Sequence, residues 1–114
     1  MRRETLITAA VVLLLPLLLL WPLPVVFGSQ LLSHPAQEAP AHIWGLWAAW
    51  EEASPLIIDT TLVTWPDATS IVLIDPANVL PYALGHAIGG PIVGFNLLLY
   101  LSHVLLGVAG VLLA

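Results

Sequence analysis

TLITAAVVLLLPLLLLWPLPVVF, residues 5–27, carries no charged side chain, and neither does PIVGFNLLLYLSHVLLGVAGVLLA, residues 91–114. At ~1.5 Å per residue a helix of either length covers a hydrocarbon core of roughly 30 Å. The two runs therefore predict transmembrane helices over 5–27 and 91–114, with a four-residue cytoplasmic N-terminus before them and a loop over 28–90 between them. The fold class expected is an all-α membrane protein: two transmembrane helices joined by an extracytoplasmic loop with short interfacial helices. Pro16 lies near the middle of the first run and Pro22 and Pro24 near its end, which predicts a kink and an early finish. A secretory signal peptide with cleavage after Gly28 is the competing reading of this run, but its apolar stretch is longer than the roughly 7–15 residues such a segment needs.

Composition agrees with lipid as the principal solvent. The chain of 114 residues is 60% apolar and holds only two basic side chains, Arg2 and Arg3, too few to dress a soluble surface. It contains no cysteine, so disulfides and thiolate metal sites are excluded. The formal charge is −5, and Glu38, Glu51, Glu52, Asp59, Asp67 and Asp75 all fall between the apolar runs. No basic patch exists to neutralise phosphates, which excludes nucleic acid as a partner. With Arg2 and Arg3 inside, the positive-inside rule places the loop outside.

Within the loop, Trp44, Trp47 and Trp50 stand at i, i+3 and i+6 and are followed by Glu51-Glu52 and Ser54-Pro55. That pattern predicts an interfacial helix over about 41–53, with its indoles at headgroup level. Leu56 to Thr64 is β-prone or extended, and Trp65-Pro66-Asp67-Ala68 reads as a turn. A second interfacial helix is expected over about 76–88, with Asp75 as its cap, Pro76 at its first position and Gly89-Gly90 as its stop. In the second apolar run Asn96, His103, Gly107, Gly110 and Ala114 recur at helical spacing, giving a polar or small face suited to packing against another helix, either the first span or helices of another segment.

His34, Glu38 and His42 are spaced by four and would align as divalent-metal ligands on a continuous helix, but Pro35 and Pro40 interrupt it, and no dedicated metal site is expected. No phosphate-binding loop, dinucleotide fingerprint or serine–histidine elbow is present.

The order of features nevertheless resembles a known family. Glu38-Ala39-Pro40-Ala41-His42-Ile43-Trp44-Gly45-Leu46-Trp47, then Thr64-Trp65-Pro66-Asp67, then Asp75-Pro76-Ala77-Asn78, then Gly90-Pro91-Ile92-Val93-Gly94-Phe95-Asn96-Leu97-Leu98 is similar to the N-terminal end of bacterial GT-C-type membrane glycosyltransferases. The resemblance covers nearly the whole chain. It implies a bacterial cytoplasmic-membrane enzyme that transfers a sugar from a polyprenyl-phosphate donor at the outer face. By that resemblance Glu38 would be the general base, in the place of the family's one-methylene-shorter aspartate, with His42 and Trp44 beside the donor and a divalent metal as an optional cofactor. The expected function is that of an N-terminal portion or degenerate relative of such a transferase. It would not catalyse alone, because two spans cannot enclose a dry, preorganised site. The alternative is a small two-span accessory subunit that packs in a larger membrane complex through Asn96, His103, Gly107 and Gly110. Either way its partners are the bilayer and further transmembrane helices.

Overall fold

The computed structural model describes residues 3–32, 39–51, 57–60, 69–72 and 76–114. Helix α1 spans Arg3–Leu19 and α2 spans Leu23–Val26, followed by α3 at Ala39–Glu51, strands β1 at Ile57–Thr60 and β2 at Thr69–Val72, a 3₁₀ turn at Pro76–Asn78, and α4 at Val79–Leu113. The strands form an antiparallel pair in which Ile57 faces Val72 and Thr60 faces Thr69. β-branched residues fill most of both strands and favour the pleated conformation. The chain is thus predominantly helical, and the ribbon is an addition to the all-α expectation. The Trp65–Ala68 turn and the proposed Asp75 cap lie outside the described residues.

Among the described residues one helix, α4, is long and apolar enough to cross a membrane. Only 11% of its most apolar stretch is buried in the molecule, unlike the core helix of a soluble protein. The first apolar run does not form the single helix expected over 5–27. Its regular hydrogen bonding closes with Leu20 N donating to Pro16 O at 2.9 Å, and Trp21 N then reaches back only three residues, to Leu18 O at 3.3 Å. Pro22 has no N–H to continue the ladder, and its ring disfavours a helical Trp21. The run therefore divides into helices of 17 and 4 residues.

α4 is itself two arms. Gly89 (φ −153°, ψ 20°) and Gly90 (φ 83°, ψ −172°) leave helical geometry, and Pro91 opens the second arm. The positive φ at Gly90 is open to glycine without steric cost. The expected helix at 76–88 is consequently the first arm of a longer element, preceded by a 3₁₀ turn, and Asn78 before it makes no side-chain cap bond. The arms meet backbone to backbone. A Cβ added at Gly85 would stand 2.8 Å from Gly94 Cα and from Val93 O, and one added at Gly94 would stand 2.8 Å from Tyr82 O. Two glycines at this crossing let the arms approach more closely than any side chain permits.

α3 covers the crossing. Leu46, Tyr82 and Leu98 form a buried cluster with Trp47 and Val79 beside it. Ala48 and Ala49 form a second, with Trp44, Trp47 and Val79 against it. Trp44 and Trp47 therefore serve as packing residues toward the protein, while Trp50 remains 39% exposed and sets its ring 4.8 Å from that of His86.

Candidate functional site

Two constellations emerge, one at each end of α4's second arm. At the first, Asn96 is fully buried. Its Nδ2 donates to Phe27 O and to Gln30 O, each at 2.8 Å, and its Oδ1 accepts from Leu32 N at 3.4 Å. A primary amide has two donors and a carbonyl acceptor, so one side chain meets three backbone groups left over where the first apolar run ends. Its low exposure is paid back by complete pairing, the condition for burying a polar group in an apolar setting. Tyr82, also fully buried, leaves its hydroxyl without a partner among the described residues.

At the second, α1 and α4 flank a groove of about 420 Å³. Val12, Leu15 and Leu19 line it from α1, and His103, Gly107 and Gly110 from α4. The helices touch rather than interlock. A Cβ at Gly107 would lie 3.4 Å from Val12 Cγ1, whereas one at Gly110 would meet nothing within 4 Å. Tyr100 ties the pair above the groove by donating its hydroxyl to Leu13 O at 3.1 Å. His103 Nδ1 lies 2.9 Å from Leu99 O. A carbonyl can only accept, so Nδ1 carries the hydrogen, and Nε2 is the nitrogen outside this bond. Ser102 Oγ likewise returns its hydrogen to Leu98 O at 2.9 Å. An imidazole on a helix of this hydropathy marks a polar spot in an apolar wall.

The four helix-packing residues expected from spacing thus separate. Asn96 binds backbone of the 27–32 segment, Gly107 lies against α1, and His103 and Gly110 line the groove. His42 and Trp44 sit half-buried on α3, where Trp44 packs on the alanine pair. Glu38 and His34 lie outside the described residues. Among the described residues no three His, Asp or Glu side chains gather as a metal site. Spacing did not disclose Tyr82, Gly85 and Gly94; the Gly85-to-Gly94 interval across a double-glycine stop was the available signal. No known protein family, curated protein or solved structure matches the chain.

Proposed function

We propose that this chain is a helix-packing unit of a larger integral-membrane assembly, with α4's second arm and the α1–α2 run both crossing the bilayer and the 28–90 loop on the outer face, its helices at the interface. The observation that carries the proposal is the α1–α4 groove: its apolar walls, the open Gly110 and the single imidazole suit the side chains of a further transmembrane helix. The assembly we infer is a polyprenyl-phosphate-dependent glycosyltransferase of the GT-C type, supported by the order of the Glu38–Trp47, Thr64–Asp67, Asp75–Asn78 and Gly90–Leu98 motifs. In that reading Glu38 removes the acceptor's proton, and His42 and Trp44 lie beside the donor.

The packing claim is tested by purification in mild detergent. Other membrane polypeptides or downstream spans are expected to accompany the native chain and to be lost from Gly110→Leu, whose side chain fills the groove. Unchanged association would remove the groove from the interface. The chemical claim is tested separately in the assembled enzyme, where Glu38→Gln is expected to lower sugar transfer by ~10²–10⁴-fold, the usual contribution of a general base, without altering membrane insertion.

A further inference from the structure

The first arm of α4 has two faces with different fates. Tyr82 and Gly85 are buried against α3 and the second arm. On the other side Leu80, Leu84 and Ile88, at i, i+4 and i+8, are 79%, 56% and 74% exposed. Three large aliphatic side chains in one row, with nothing from the described residues over them, form an unpartnered apolar face.

We propose that this row is a lipid-facing surface, inserted among the acyl chains of the leaflet in which α4's second arm begins its crossing. The inference rests on the reading of that arm as a membrane span. Three observations single out acyl chains as the occupant. First, the contact of Gly85 with Gly94 fixes the first arm's depth, because Gly94 is only one helical turn beyond Pro91. Second, no Asp, Glu, Lys or Arg occurs from Pro76 to Ala114, so none of these strongly charged side chains on this arm resists entry into hydrocarbon. Third, the second arm likewise leaves large aliphatic side chains uncovered, with Leu105, Leu106 and Leu112 67%, 71% and 80% exposed, so both arms present apolar surface to the same solvent. Trp50, partly exposed beside His86, supplies the amphipathic ring that favours the headgroup boundary of such an insertion. Because the arm has no Lys or Arg, the insertion depends on apolar burial and needs no anionic lipid.

The chain has no native cysteine, so a single environment-sensitive fluorophore can be attached at Leu80→Cys, Leu84→Cys or Ile88→Cys in the full chain. Each variant is reconstituted in neutral phosphatidylcholine vesicles with a nitroxide placed high on the acyl chain, and the same label at Leu105→Cys reports on the crossing arm. The expected result is loss of most emission to the lipid nitroxide at all four positions, little loss to aqueous iodide, and no change when anionic lipid or salt is added. Iodide quenching at 80, 84 and 88 with lipid quenching at 105 overturns the inference and leaves the span standing. Iodide quenching at 105 as well overturns the span itself. Insensitivity to both quenchers at 80, 84 and 88 overturns the inference in another way, since protein then covers the row.

Discussion

Where α4 begins, backbone lies against backbone at Gly85 and Gly94, and Asn96 joins three main-chain groups of the 27–32 segment. Where it ends, Gly107 rests loosely on Val12 and Gly110 faces open space. Both regions carry the same signature, small and polar residues on an apolar helix. At the start they are consumed by this chain's own packing, and toward the end they are left presented. A small residue on a membrane helix records that something must approach closely; only the position of the partner tells whether the chain supplies it.

The largest expected effect that separates the two regions is at Asn96. Asn96→Leu leaves the Phe27 and Gln30 carbonyls unpaired, at roughly 1–3 kcal/mol for each orphaned group. Unfolding in mixed detergent micelles, followed by tryptophan emission, reads the loss. Wild-type stability would show that the staple contributes nothing and would erase the contrast.

Next comes the glycine crossing, where Gly94→Ala or Gly85→Ala forces a methyl group to 2.8 Å from backbone atoms. Overpacking of this kind costs about 1–3 kcal/mol, and the same unfolding assay applies. Equal tolerance of alanine at 94 and at 110 would break the comparison. A smaller loss, about 0.5–1.5 kcal/mol at most, is expected for Tyr100→Phe, which removes the bond to Leu13 O that ties α1 to α4. The smallest effect has the opposite sign. Gly110→Ala meets no atom within 4 Å and replaces the poorer helix former, so the isolated chain should gain up to ~1 kcal/mol. A clear destabilisation there would mean that the groove is closed by the chain itself.

How much of this was legible in the sequence depended on whether its cause was local. The stop at Gly89-Gly90 and the reopening at Pro91 were readable because glycine and proline act on their own backbone. The β-prone character of Ile57–Thr60 was readable for the same reason, whereas its pairing with Thr69–Val72 was not. In the first apolar run Pro22 and Pro24 announced an early finish, and α1 does end at Leu19; what they did not announce is that the chain resumes as a short separate helix, α2. Asn96 was recognisable as a residue that packs. Its partners were not, since they are carbonyls 69 and 66 positions away. The tryptophan triplet announced a helix, yet spacing alone could not tell that Trp44 and Trp47 pack on the protein while Trp50 stays partly exposed beside His86, because that division depends on where α4's first arm lies.

The Asn96 bonds also bear on how the chain would enter a membrane. Phe27 and Gln30 are synthesised long before Asn96, and a lone carboxamide entering hydrocarbon has no water to satisfy it. If the second arm crosses a bilayer as proposed, the Asn96 carboxamide enters with its partners already synthesised, and docking against residues 27–32 spares it unpaired exposure to hydrocarbon.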